Sequence, residues 1–99
     1  MFTIGDVLQH KEATFTMPPD LHGALMHARL YARCNLSKGD LAYAITYIDA
    51  IPLAFDEYGR KGIGVQLLYV LNNLGVWRGD EARAAKLVMK KYAKEWGKT

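Results

Sequence analysis

The chain predicts a mostly α-helical fold, with a short N-terminal strand followed by four to five helices in one domain over residues 1–99. Three observations predict it. Apolar residues recur at i, i+3 and i+4 through most of the chain from Leu21 onward, the spacing of one helix face. One stretch alone, Lys11 to Met17, alternates with period two. Pro18-Pro19, Pro52 and the glycines after Tyr58 then cut these patterns into separate elements. Ninety-nine residues give room for one core.

Residues 2–10 leave two choices open: Phe2, Ile4, Val7 and Leu8 suit a short strand or a single helical turn after Gly5. From Lys11, Ala13, Phe15 and Met17 fall on one side and Glu12, Thr14 and Thr16 on the other, which predicts a strand. Pro18-Pro19 stops it, because proline has no N–H for a ladder yet suits the first turn of a helix. The first helix is predicted from Pro19 or Asp20 to Arg33, with Leu21, Leu25, Ala28 and Ala32 as its inner stripe. Asn35-Leu36 breaks it. Ser37 or Gly39 is the expected cap of the second helix, with Asp40 in the first turn, where the helix dipole favours an acid. Its stripe is Leu41, Ala44, Ile45 and Ile48, and Pro52 should kink or end it near Ile51.

Leu53 to Tyr58 adds a turn or two, and Gly59-Arg60-Lys61-Gly62 reads as a flexible polar connector. Val65 to Leu74 is apolar on nearly every side, so it is expected to be a buried helix, closed by Gly75 as the residue past its end. The last helix, about Asp80 to Trp96, sets Ala85, Val88, Tyr92 and Trp96 on one face. Arg83, Lys86, Lys90 and Lys94 form a basic stripe on the other.

Composition narrows the function classes. Hydrophobic residues make up 51%, which argues against disorder. The net charge is +3 and the pI about 9.1, mild enough to tolerate a nucleic acid without demanding one. No apolar run approaches the ~20 residues of a membrane span. Met1 to His10 carries Asp6 and has no basic stretch leading into an apolar one, so no signal peptide is expected. The single cysteine, Cys34, excludes an internal disulfide and suits a reducing, cytoplasmic compartment.

Residues of chemically capable types each have a plainer reading. His10, His22, His27 and Cys34 lack ligand spacing, and one cysteine cannot build a zinc site. Cys34 has no activating neighbour in sequence and is expected to be a buried or half-buried thiol. Asp49, Asp56 and Glu57 cluster around Pro52 and would face solvent or pair with Arg60 and Lys61. Gly59 to Gly64 matches no phosphate loop. The expectation is a protein that is not an enzyme and takes no cofactor. Tyr43, Tyr47, Tyr58, Trp77 and Trp96 suit either a base-stacking platform or packing. The basic stripe either follows a phosphate backbone or is a solvated face.

A strand, a proline-led helix, a short turn and a capped second helix within residues 12–50 resembles the ribbon-helix-helix DNA-binding repressors. Ala13-Thr14-Phe15-Thr16-Met17-Pro18 looks like that family's ribbon, and Leu36-Ser37-Lys38-Gly39-Asp40-Leu41 like its turn into the second helix. The resemblance implies an obligate homodimer whose paired strands enter the major groove of double-stranded DNA. It would turn Glu12, Thr14 and Thr16 toward bases and set Lys38 and Gly39, at the second helix's N-terminus, against phosphate. Residues 53–99 would be a helical extension for tetramer formation or partner binding. The expected function is a small dimeric, sequence-specific DNA-binding protein: a transcriptional repressor, or an accessory factor at a plasmid or phage site. Arg83, Lys86, Lys90 and Lys94 would add phosphate contacts. The alternative is a compact helical protein-binding module, an inhibitor or adaptor acting through its C-terminal helices.

Overall fold

A computed structural model describes residues 16–97, and among them the regular structure is entirely helical. Helix α1 is Pro19–Cys34, α2 Leu41–Asp49, α3 Ile51–Asn72 and α4 Asp80–Gly97. Helix α1 packs against α2 and α4, and α3 packs against the same two, so the four close into a ring around one core.

The breakers act as the sequence predicts. Pro19 occupies the first turn of α1, and the Asp20 carboxylate accepts from the Leu21 N–H at 2.9 Å. Leu21, Leu25, Ala28 and Ala32 are all buried, with Ala24 beside them. Asn35 closes α1 by donating its side-chain amide to the Tyr31 carbonyl, and Asn73 closes α3 in the same way on Tyr69, both at 2.8 Å. These bonds satisfy carbonyls that a helix end leaves without a partner. Gly75, the expected terminator of α3, lies beyond that cap. Asp40, rather than Ser37 or Gly39, stands at the N-cap of α2. Pro52 does end α2: the chain passes through Ala50 into α3 with only a bend.

Three expectations are overturned. Among the described residues there is no strand, and a ribbon-helix-helix unit cannot exist without one. Thr16 and Met17 precede α1 as irregular chain, while Glu12, Thr14 and the rest of the expected strand lie outside the described residues. The apolar faces that such a unit would bury by dimerising are already covered within the chain: Leu21, Leu25, Ala32, Leu41 and Ala44 join α3 and α4 in one cluster.

The glycine run is no flexible connector. Gly59 (φ 69°, ψ −152°) makes a sharp corner, and helix resumes directly after it. The arm 60–72 then folds back on 51–58 so closely that a β-carbon at Gly62 would overlap the Ala54 carbonyl oxygen. Gly64 gives the same close approach to the backbone of Trp96 and Gly97 on α4.

Third, the apolar run of α3 is not buried all round. Ile63, Leu67 and Val70 face the core, whereas Val65, Leu68 and Tyr69 face outward. No helix among the described residues is long and apolar enough to cross a membrane.

Candidate nucleic-acid interface

Helix α4 sorts its charges by face. Its core line is Ala82, Ala85, Met89 and Ala93, all buried. On the side next to α1, Glu81 meets His27 at 3.3 Å, Lys91 lies 4.0 Å from Asp20, and the Tyr92 hydroxyl donates to Asp20 at 2.9 Å. That hydrogen bond to a carboxylate is the main reason the Tyr92 hydroxyl titrates above its ordinary range. Arg83, Lys86, Lys90 and Lys94 fall on the remaining, outward side at i, i+3, i+7 and i+11.

The loop before α4 adds a cation that no periodicity marks. Arg78, Arg83 and Lys86 line one concavity of about 320 Å³ with Trp77 and Gly79. Lys86 is half-buried and donates to the Trp77 carbonyl at 2.6 Å. Burial holds its ammonium below the ordinary lysine range, and the nearby charges of Arg78 and Lys90 push the same way. Arg83 bonds Asp80 at 3.0 Å, an exposed pair worth little. Arg78, Lys90 and Lys94 have no carboxylate partner among the described residues. The face is thus a concentration of like charge that a bound anion would relieve.

Lys38 is exposed, in a turn that packs on the 73–79 loop. Its turn carries Gly39 at φ 49°, with Val76 of the 73–79 loop where a side chain would go. Gly39 is therefore accounted for by packing, and it brings Lys38 next to the loop that holds Arg78. The other candidates separate. Thr16 is exposed, and Cys34 is exposed rather than buried. Asp49 pairs with Arg29 instead of Arg60 or Lys61. Trp77 is buried under Tyr31 and His27, and Trp96 packs on Tyr92. Of the aromatic side chains expected as a stacking platform, Trp77 is thus buried, and Tyr47 and Trp96 are half-buried in ring pairs of their own.

A second surface was not anticipated. Ala54, Tyr58, Lys61, Gly62, Val65, Gln66 and Tyr69 line a groove of about 480 Å³ between the two arms of α3. Tyr69 stacks on Tyr47 with ring centres 5.4 Å apart, and Gln66 donates to the Tyr47 carbonyl at 3.0 Å. The signal for it was the run Val65 to Leu74, whose apolar residues exceed what one buried face needs.

Comparison with family models, curated proteins and solved structures finds no match.

Proposed function

We propose that the protein binds double-stranded DNA through the phosphate backbone, using the outward face of α4. One observation carries the reading: Arg78, Arg83, Lys86, Lys90 and Lys94 lie together, and among the described residues their sole carboxylate partner is Asp80. From Arg83 to Lys94 a helix rises about 16 Å, the axial length of duplex that carries roughly five phosphates on each strand. Such contacts attach a protein without reading sequence. Thr16, the one proposed base reader among the described residues, lies in no strand, so selectivity for a DNA sequence forms no part of this reading.

Fluorescence anisotropy with a random-sequence duplex tests it. Neutralising Z phosphates makes log K fall with log salt at a slope near −0.9Z, so about four contacts give roughly −3 to −4. The triple variant Arg83→Glu, Lys90→Glu, Lys94→Glu should abolish most of that slope and weaken binding at least about tenfold at moderate salt. Lys86 is left intact because it also holds the Trp77 carbonyl. Absence of wild-type binding at about 50 mM salt, or an unchanged slope in the variant, overturns the reading. A second reading, a protein-binding module, is favoured by the tyrosine-lined groove, and it leads if the wild type binds no duplex.

A further inference from the structure

We infer that the tyrosine-lined face of α3 is covered by a second copy of this chain, forming a two-fold dimer. Tyr43, Tyr58 and Tyr69 are 61%, 70% and 49% exposed, and Val65 and Leu68 are 39% and 55% exposed. Tyr43 lies one turn before Tyr47, the residue on which Tyr69 stacks, so these side chains belong to one continuous surface. A buried aromatic contributes roughly 150–250 Å², so the five leave on the order of 500 Å² of side chain in water. A standard interface buries about 800 Å² per partner, and a polar rim supplies the remainder. The patch therefore supplies the apolar share, roughly three-fifths, of what one copy must offer to another.

Its shape fits a two-fold pairing. In such an interface the same patch serves both subunits, so each must present a projection and the hollow that receives it. Tyr58 stands at the edge of the groove, 70% exposed, and the groove's floor is Ala54 and Gly62, which have little or no side chain. Tyr58 of each copy enters the hollow of the other. Among the described residues that line the groove, Lys61 alone carries a charge. The centre is thus tyrosine-rich and nearly free of charge, the composition that marks interface cores. The groove and the concavity beside α4's basic residues share no lining residue.

Sedimentation velocity on the full chain, from about 1 to 200 μM, tests the dimer. The expected result is a monomer–dimer equilibrium within that range. Tyr58→Glu with Leu68→Glu places four carboxylates in the dimer interface and should weaken association by about 100-fold or more. Both residues are exposed in the single chain, so far-UV circular dichroism and Tm should stay near wild type. Leu87→Glu, on the outward face of α4, should leave the dimer unchanged. A wild type that stays monomeric at 200 μM overturns the inference and assigns the groove to a different molecule. A dimer that survives the double variant overturns it equally, since association would then use another surface.

Discussion

The two halves of the chain differ in what becomes of their apolar faces. In residues 19–49 the periodic stripe of each helix, Leu21, Leu25, Ala28 and Ala32 and then Leu41, Ala44 and Ile48, is wholly buried, and the exposed Met26, Leu30 and Tyr43 lie outside it. In residues 51–97 the long arm of α3 carries two, one in the core and one in water. A stripe at helical period says that something covers it. It does not say what. For the first half the cover is the second half, where a ribbon-helix-helix unit would have used another chain. For the outer face of α3, no cover exists among the described residues.

The largest test of this contrast is truncation inside the shared core. Leu25 comes from the first half and Met89 from the second, and both are buried to within 2%. Leu25→Ala and Met89→Ala should each cost about 2–5 kcal/mol, because each leaves a cavity that its neighbours fill only in part. Thermal unfolding should remain one transition in both variants, seen as coincident near- and far-UV signals. Two separable transitions in Leu25→Ala would mean that the halves are independent after all. Leu68→Ala, on the outer face of α3, should change stability by less than about 0.5 kcal/mol.

What could be read in advance follows from locality. The helix ends came through because Pro19, Asn35 and Pro52 act on their own neighbours, and the stripes of α1 and α2 came through because period is local as well. On α4 the buried line is Ala82, Ala85, Met89 and Ala93, and of the expected face only Ala85 belongs to it, with Val88, Tyr92 and Trp96 partly buried at its edge. Packing partners are not local, so nothing in Leu21 to Ala32 distinguished cover by α4 from cover by a second chain. Glycine misled for a related reason. The same residue serves a flexible loop and a close helix crossing, and only the fold shows that Gly62 and Gly64 serve crossings. At the candidate site, periodicity marked Arg83, Lys86, Lys90 and Lys94. Arg78 lies in a loop and offers no period, though its place in Trp77-Arg78-Gly79, just ahead of the basic helix, was the available hint.

Glycine also provides the second test, smaller in size and opposite in sign at two positions. Within a helix, glycine is about 1 kcal/mol worse than alanine, so Gly→Ala usually stabilises. At Gly23, on the exposed side of α1, a β-carbon meets nothing within 4 Å. Gly23→Ala should therefore raise stability by about 0.4–1 kcal/mol, several degrees in Tm for a domain of this size. At Gly62 the β-carbon runs into the Ala54 carbonyl, a backbone atom that cannot rotate away. Gly62→Ala should cost about 1–3 kcal/mol despite the better propensity. Equal stabilisation at both sites would mean that the two arms of α3 lie further apart than this.

The smallest effect sits between α1 and α2, the one helix contact that a free-standing first half would have kept. Arg29 donates from Nε and Nη2 to the two oxygens of Asp49, at 2.7 and 2.9 Å. These hydrogen bonds hold the Asp49 carboxyl below its ordinary value of 3.8; partial burial opposes them, and the charges of Arg29 and Arg33 assist. A carboxyl whose pKa is lower folded than unfolded binds fewer protons in the folded state. Its contribution is complete above 3.8 and is lost as pH falls through the folded value. Asp49→Asn keeps an acceptor for Arg29 and removes the charge. The variant should have a slightly lower Tm near neutral pH, and the two melting curves should converge at about pH 2, where the wild-type carboxyl is also neutral. Strong salt should shrink the neutral-pH difference, because the pair is only half-buried. A gap that persisted at low pH would assign the loss to packing rather than charge. If Asp49→Asn proved as damaging as Leu25→Ala, the contact between α1 and α2 would outweigh their shared core with α3 and α4, and the contrast between the halves would have to be redrawn.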